Sequence, residues 1–222
     1  MAGQDDTPDV ARRGMVELQL RARDIVDERV LAAMAEVPRH LFVEPTLERY
    51  AYEDRPLSIG AGQTISQPYI VALMTQLLQV QPSHRILEVG TGSGYQAAIL
   101  AELAAEVYTI EIVPSLAEAA RARLETLGYR NVHVRQGDGY EGWPEFAPFD
   151  GVLVTAGAPQ IPPPLIDQLR EGGRMAIPVG MAGGTQDLIL GEKHGGRFRT
   201  RSIAPVLFVP LTGKGGRQNG GR

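Results

Sequence analysis

The residues best suited to chemistry surround a glycine-rich turn. Glu88 lies in a short apolar segment over residues 85–89, and the run Gly-Thr-Gly-Ser-Gly follows at residues 90–94. Alternating glycines let the backbone bend sharply and approach a ligand where any side chain would collide. A helix that follows such a turn directs its first N–H groups at the ligand. The pattern predicts a strand, a turn and a helix that seat a nucleoside, with the Glu88 carboxylate supporting either the turn or an ammonium group of the ligand.

Further acids stand beside neighbouring predicted strands. Glu111 follows a strand-like run roughly 20 residues after Gly90, where an acid accepts from both hydroxyl groups of a ribose. Asp138 lies between two glycines after the next run and is suited to accept from the exocyclic amine of adenine, while Asp150 opens the run after that. Three of these acids also have simpler explanations: Glu88 caps the next helix, Glu111 is exposed, and Asp138 starts a turn. Their recurrence at successive strand ends favours the nucleoside site.

Strand-like and helix-like runs alternate from residue 85 onward. Strands are predicted at residues 85–89, 106–110, 131–135, 149–154 and 173–179, with helices at about 95–103, 114–127 and 162–170. This alternation is typical of a doubly wound, mostly parallel, Rossmann-like α/β sheet. Two further runs at residues 186–192 and 198–204 predict a hairpin at one sheet edge.

The segments outside the sheet have different patterns. Apolar residues between positions 16 and 37 recur at helical spacing and predict an N-terminal cap of one or two amphipathic helices. Proline and glycine interrupt residues 39–68, and residues 69–79 return to a helical pattern. The polar residues 1–14 and the glycine-rich residues 213–222 are predicted to be mobile tails.

The length of the chain bounds the number of domains. The 222 residues are enough for one α/β domain with an elaboration and few for two independent cores. We therefore expect a single domain over residues 15–212. It comprises a helical cap and substrate loop at 15–80 and a cofactor-binding α/β core at 81–212.

Composition excludes several kinds of site and partner. The formal net charge is -4 and the chain has no long basic run, so we expect no nucleic-acid partner. No apolar stretch reaches the length of a membrane span and no apolar leader follows Met1, so we expect a cytoplasmic protein without a membrane partner. Cysteine is absent, which excludes a thiol nucleophile or a thiolate metal site. The histidines lack metal-ligand spacing, so no metal is expected.

The glycine turn distinguishes between two classes of nucleoside-binding protein. A dehydrogenase turn ends on a small residue that permits close packing under a pyrophosphate, and Tyr95 stands at that position here. Gly-x-Gly-x-Gly, with acids at the ends of the second and third strands, resembles instead the class I methyltransferases, which bind S-adenosylmethionine. That resemblance assigns Glu111 to the ribose, Asp138 and Gly139 to the adenine, and residues 88–94 to the methionine part.

A second motif narrows the resemblance. Residues 60–69, Gly-Ala-Gly-Gln-Thr-Ile-Ser-Gln-Pro-Tyr, combine glycines, hydroxyl and amide side chains and a proline in a more specific pattern than a turn requires. Their Gly-Gln-Thr-Ile-Ser core resembles the most distinctive segment of the protein-L-isoaspartate O-methyltransferases. Four further matches extend the resemblance over about residues 15–212: Leu-Glu-Val-Gly-Thr-Gly-Ser-Gly-Tyr-Gln-Ala-Ala at 87–98, Gly-Asp-Gly at 137–139, Pro-Phe-Asp at 148–150 and Phe-Val-Pro-Leu at 208–211.

The resemblance implies a repair enzyme that moves a methyl group from S-adenosylmethionine to the α-carboxylate of L-isoaspartyl residues in damaged proteins and peptides. The catalytic residue is then Ser66, a donor that positions the substrate carboxylate, with Thr64, Ile65 and Gln67 binding substrate. The cofactor-binding residues implied are Glu88, Gly90, Thr91, Gly92, Gly94, Glu111, Asp138 and Gly139. Ser66 has a structural alternative, in which it caps the helix that begins near Pro68.

The chemistry of this reaction agrees with the residues present. A carboxylic acid has a reference pKa near 4, so the nucleophile is already ionised at neutral pH and needs no general base. Two other functions remain open: a methyltransferase acting on a different acceptor, and an inactive module that binds altered protein segments or adenosyl ligands. We expect a monomer, and the flexible Asn219-Gly220 pair is a possible site of self-methylation after ageing.

Overall fold

An N-terminal helical cap precedes the sheet. The computed structural model describes residues 7–216, so Asn219-Gly220 lies outside the described residues. Helix α1 (Pro8–Met15) continues into a π-helical turn (Val16–Arg21), and α2 (Glu28–Glu36) follows. The prediction of a mobile tail is wrong for residues 8–14, because the Thr7 side chain accepts from the Val10 N–H and Pro8 occupies the first helical position, two features that start a helix.

The segment predicted to be irregular contains a small hairpin. Two 3₁₀ turns (Arg39–Phe42 and Pro45–Tyr50) lead into strands β1 (Leu57–Gly60) and β2 (Gln63–Ile65), which pair antiparallel. Sequence reasoning missed both strands because each is only three or four residues long and the tip is rich in glycine. Helix α3 (Pro68–Leu78) follows as predicted.

The main sheet has seven strands in the order β5-β4-β3-β6-β7-β8-β9. Its strands are β3 (Arg85–Val89), β4 (Glu106–Glu111), β5 (Val132–Gln136), β6 (Phe149–Val154), β7 (Leu169–Val179), β8 (Gln186–His194) and β9 (Arg197–Val206). The strands from β3 to β7 pair in parallel, whereas β8 and β9 add an antiparallel hairpin at one edge. The predicted doubly wound sheet and its edge hairpin are confirmed.

Alternate residues of the central strands face two separate cores. Ile86 packs with the N-terminal helices, α3 and α4 (Tyr95–Ala101), while Leu87 packs on the opposite face. Helices α5 (Pro114–Thr126) and α6 (Pro163–Asp167) complete the crossovers. Both faces of a doubly wound sheet are covered in this way, which is why the strands read as nearly continuous apolar runs. Within residues 7–216, no helix has the length and apolar content needed to cross a lipid bilayer.

The register of the central strands aligns their carboxyl ends. Val89 pairs with Ile110 of β4 on one side and with Val154 of β6 on the other. The next residue of each strand or loop is therefore level with the others: Gly90, Glu111 and Thr155. The order of the strands reverses direction here, and a reversal of this kind opens the crevice where ligands bind in α/β sheets.

Asp150 lies near the amino end of β6, at the opposite end of the strands from the nucleoside site. Its carboxylate accepts from the Arg85 N–H at 2.6 Å and pairs with the Arg170 guanidinium at 2.6 Å. Strands β3 and β6 run parallel, so their amino ends lie together at the end of the sheet opposite the nucleoside site. Asp150 therefore joins two strands and does not contribute to that site, contrary to its grouping with the other acids.

We predict that Asp150→Ala lowers the free energy of unfolding by about 1 kcal/mol, because it leaves the partly buried Arg85 N–H without its acceptor and removes the ion pair with Arg170. Chemical denaturation followed by circular dichroism measures this change, with the exposed Asp187→Ala as control. Binding of S-adenosyl-L-homocysteine is expected to stay unchanged in Asp150→Ala. A large loss of that binding in a folded variant would contradict the placement of Asp150.

Candidate active site

The glycine turn after β3 is supported from below by a chain of hydroxyl groups. Thr91 Oγ1 lies 2.6 Å from Thr109 Oγ1, which in turn donates to Glu88 Oε2 over 2.5 Å. Because the Thr109 proton points to Glu88, Thr91 is the donor to Thr109. All three residues are buried. Of the two roles predicted for Glu88, the contacts agree with support of the turn. The simpler explanation, in which Glu88 caps the next helix, is wrong, because within the described chain no side chain caps α4.

Burial of Glu88 favours its neutral form. Desolvation raises the pKa of this carboxyl from the ordinary 4.5 to about 8, the hydrogen bond from Thr109 opposes the rise, and the charge of Glu111 adds to it. Among the described residues, Glu88 Oε1 has no hydrogen-bond partner. A proton on Oε1 therefore leaves Oε2 free to accept from Thr109.

Glu111 joins β4 to the glycine turn. Its Oε2 accepts from the Gly92 N–H at 2.8 Å and its Oε1 accepts from the Val113 N–H at 2.9 Å. Glu111 is only 5% exposed, so the interpretation of a solvent-exposed acid is wrong. The carboxylate lines the cavity above the turn, where the sequence analysis expected an acceptor for ribose hydroxyls.

Thr155 is a site residue that sequence reasoning missed. It follows β6 directly, and its hydroxyl donates to the Gly90 carbonyl at 2.6 Å. Gly90 has a φ of 97°, and a Cβ at this position would overlap Thr155 Oγ1. The signal in the chain is the strand-end position that Thr155 shares with Glu111, where a threonine is less distinctive than an acid.

The cavity above the turn, here called the nucleoside cavity, is lined by the turn, residues 110–113, Gly139 and residues 209–212. Its volume is about 60 Å³, below the ~300 Å³ at which small-molecule pockets begin. Residues 209–212 form part of this lining, and the Val209 carbonyl accepts from the Gly157 N–H at 2.8 Å.

Asp138 and Gly139 are placed differently from each other. Gly139 lines the nucleoside cavity, and a Cβ there would overlap Val89. Asp138 stands beside the cavity, with Oδ1 accepting from the Tyr140 N–H and Oδ2 from the Lys214 N–H. Its contacts are those of a residue that starts a turn. Each of these oxygens can accept a further hydrogen bond, and the contact of Asp138 with an adenine amine stays a prediction.

The substrate loop meets the glycine turn across a narrow gap of about 30 Å³, here called the junction cavity. Residues 64–66 line one side, residues 90–93 line the other, and Thr155 closes one end. The structure therefore brings together two motifs that are separated by more than twenty residues in the chain.

A third cavity, here called the substrate groove, opens from the same point and measures about 700 Å³. Thr64, Ser66 and Gln67 line it on the side of the loop, and residues 205–209 line the facing wall. Thr64 and Thr155 border all three cavities. The groove thus runs directly into the space beside the glycine turn.

Ser66 is free to act toward the groove. Helix α3 has Gln67 as its N-cap residue and, within the described chain, no side-chain hydrogen bond caps it. The capping alternative for Ser66 is therefore wrong. Ser66 is half-buried and lines both the groove and the junction cavity, whereas Ile65 is buried in the core and borders only the junction cavity.

We predict that the free energy of unfolding falls as the pH rises from about 5 to about 8, by up to ~1.4 kcal/mol per pH unit. In this range the folded protein keeps the Glu88 proton that the unfolded chain releases, because the folded pKa is the higher one. Glu88→Gln is neutral at every pH and should remove this component of the slope. Urea denaturation at a series of pH values measures it.

Glu118→Gln, at an exposed position of α5, is the control and should keep the slope of the unmodified chain. Equal slopes for the unmodified chain and Glu88→Gln would show that Glu88 carries no proton in the folded protein.

Comparison with known proteins agrees with the geometry. The family model described as protein-L-isoaspartate(D-aspartate) O-methyltransferase matches residues 11–216. A protein-L-isoaspartate O-methyltransferase of Opitutus terrae is 60% identical over 201 residues, which cover 90% of this chain and 86% of the relative. A protein-L-isoaspartate O-methyltransferase 2 of Polaromonas sp. is 63% identical over 190 residues, 85% of this chain and 90% of the relative.

A solved structure shares the fold. A crystal structure of a Plasmodium falciparum protein of the same name, in complex with S-adenosyl-L-homocysteine, superposes with a TM-score of 0.79 at 28% identity and covers 90% of this chain and 98% of that one. The match of the family model over nearly the whole chain, together with relatives of about 60% identity, leaves one assignment. The chain belongs to the protein-L-isoaspartate(D-aspartate) O-methyltransferase family.

Proposed function

We propose that this enzyme methylates the α-carboxylate of L-isoaspartyl residues where its three cavities meet. The observation that carries the proposal is the position of Ser66 and Thr64 directly across the junction cavity from the glycine turn. One side of this junction leads to the nucleoside cavity and the other to a groove large enough for a peptide segment. An acceptor carboxylate in the groove and an adenosyl donor at the glycine turn would therefore meet at the junction cavity.

The residues around the turn fit S-adenosylmethionine. Glycines 90 and 139 let the backbone pack directly against Thr155 and Val89, where a Cβ would overlap, and the Glu111 carboxylate lines the cavity where a ribose would be held. We assign Gly90, Gly92 and Gly139 to direct contact with the cofactor. Thr91, Gly94 and Glu88 then act behind the contact surface, because they shape the turn: Gly94 has a φ of 89° and begins α4. When bound, the cofactor supplies an electrophilic methyl group on a sulfonium.

The enzyme's own contribution is alignment and exclusion of water. The acceptor carboxylate arrives ionised, so no residue has to remove a proton. Ser66 donates a hydrogen bond to one carboxylate oxygen and fixes the direction of the other. Thr64 and Gln67 hold the adjoining backbone in the groove. Alignment of reacting groups is worth up to about 7–11 kcal/mol in favourable cases.

The proposal extends to partners and location. We expect the protein to act as a monomer in the cytoplasm on isoaspartyl-containing proteins and peptides, with no nucleic-acid or membrane partner. Support comes from the formal net charge of -4, which gives no attraction to polyanions.

We predict that a peptide containing L-isoaspartate accepts labelled methyl groups at least ~100-fold faster than the same peptide containing L-aspartate, because a misplaced carboxylate loses most of the advantage of alignment. Scintillation counting of methyl ester after brief incubation measures the ratio. Equal labelling of both peptides would indicate a methyltransferase of different specificity. Binding of the cofactor without labelling of either would indicate an inactive binding module.

We predict that Ser66→Ala lowers kcat by about 10–100-fold and leaves the Kd for S-adenosyl-L-homocysteine within about twofold, because one positioning hydrogen bond is lost. Glu111→Ala should show the opposite pattern, with the Kd raised by at least about tenfold. Calorimetry measures the affinities and the peptide assay measures kcat. Ser83→Ala, on the exposed surface, is the control. An unchanged kcat in Ser66→Ala would remove the role assigned to Ser66.

A further inference from the structure

The substrate groove carries no charge along its walls. Among the described residues that line it, every side chain is apolar, a hydroxyl or an amide. The wall facing Ser66 is formed by residues 205–209, Pro-Val-Leu-Phe-Val. A peptide in this groove therefore meets an apolar wall opposite Ser66, and none of the described lining residues offers an ion to pair with a charged neighbour.

Leu207 stands out on this wall. Its side chain is 78% exposed, whereas Val206 beside it is 6% exposed. An isolated exposed leucine is ordinary, but Leu207 lines a groove that leads to the reacting atoms. Its exposed surface becomes buried when a peptide occupies the groove, and that burial stabilises the complex only if the peptide presents an apolar side chain.

The backbone on either side of Leu207 is held by hydrogen bonds, since Val206 pairs with Gln186 of β8 and the two residues after Leu207 are bonded as well. Gln186 is 2% exposed, and its Oε1 accepts from the Phe208 N–H at 2.8 Å while its Nε2 donates to the Phe208 carbonyl at 3.4 Å. The Val209 carbonyl accepts from the Gly157 N–H at 2.8 Å. Leu207 therefore projects from a fixed segment, and its position relative to Ser66 is set by the fold.

Charged side chains near the groove are already engaged. Arg55, which precedes Pro56 on the rim, pairs with Glu53 at 2.5 Å. Asp187, the strand partner of Pro205, accepts from the Ser202 hydroxyl at 3.3 Å. A charged residue next to the isoaspartate would lose hydration in this groove and find no ion among its described lining residues to compensate.

We propose that Leu207 determines flanking-residue specificity and that the preferred substrates are isoaspartyl segments with an apolar residue adjacent to the isoaspartate. This inference rests on the proposed function, because it concerns the same groove. It names the chemical class of substrate within that function: damaged sites from apolar surroundings, such as segments exposed by unfolding. Isoaspartate within a highly charged surface loop is the poorer substrate.

Four peptides test the proposal, identical except for leucine, alanine, lysine or glutamate on both sides of the isoaspartate. The unmodified enzyme should give a kcat/KM for the leucine peptide roughly tenfold above those for the lysine and glutamate peptides. Leu207→Arg should lower kcat/KM for the leucine peptide, raise it for the glutamate peptide and lower it further for the lysine peptide.

Leu18→Arg is the matched control, because Leu18 is 77% exposed and lies on the N-terminal π-helical turn. It introduces the same charge at the same exposure and should leave the order of the four peptides unchanged. Circular dichroism confirms that both variants are folded.

The outcomes separate the two proposals. Methylation of all four peptides with equal kcat/KM, or an identical order in Leu207→Arg and the unmodified enzyme, would overturn the role of Leu207 and leave the reaction intact. The same change of order in Leu18→Arg would also overturn it, because a general effect of charge would then be responsible. Failure of every isoaspartyl peptide to accept a methyl group would overturn the proposed function itself.

Discussion

The close contact between Gly90 and Thr155 is the constraint on which the rest of the site depends. The Thr155 hydroxyl donates to the Gly90 carbonyl at 2.6 Å, and the backbone at Gly90 has a φ of 97°. A side chain at position 90 would overlap that hydroxyl and would also strain the backbone. The contact brings the end of β6 against the end of β3. The turn, the nucleoside cavity and the junction cavity are all formed around this point.

Two carboxyl groups hold the same turn in different ways. Glu111 accepts from two backbone N–H groups and presents its charge at the cavity. Glu88 is fully buried beneath the turn and acts through Thr109 and Thr91. A second full charge below the turn would lack hydration and, to a smaller extent, repel Glu111, which is the physical reason that the neutral form of Glu88 is favoured. The support is thus provided without adding negative charge beside the ligand.

The substrate side is built from segments distant in sequence. The hairpin of β1 and β2 supplies Thr64 and Ser66, while the chain after β9 supplies Leu207 and the opposite wall. Neither segment belongs to the parallel part of the sheet that supports the cofactor turn. Specificity for the peptide can therefore vary through these two segments while the cofactor turn and its supports remain the same.

The sequence by itself determined the class of fold, the glycine turn and the family. Apolar strands alternating with amphipathic helices leave few arrangements of a buried sheet, and Gly-x-Gly-x-Gly needs a backbone that other residues rarely adopt. Only the tertiary structure decided that Thr155 belongs to the site, that Glu88 lies beneath the turn, and that Asp150 lies at the amino end of β6, away from the site. These facts depend on which strands are neighbours and in what register, and such long-range pairing leaves little trace in local sequence.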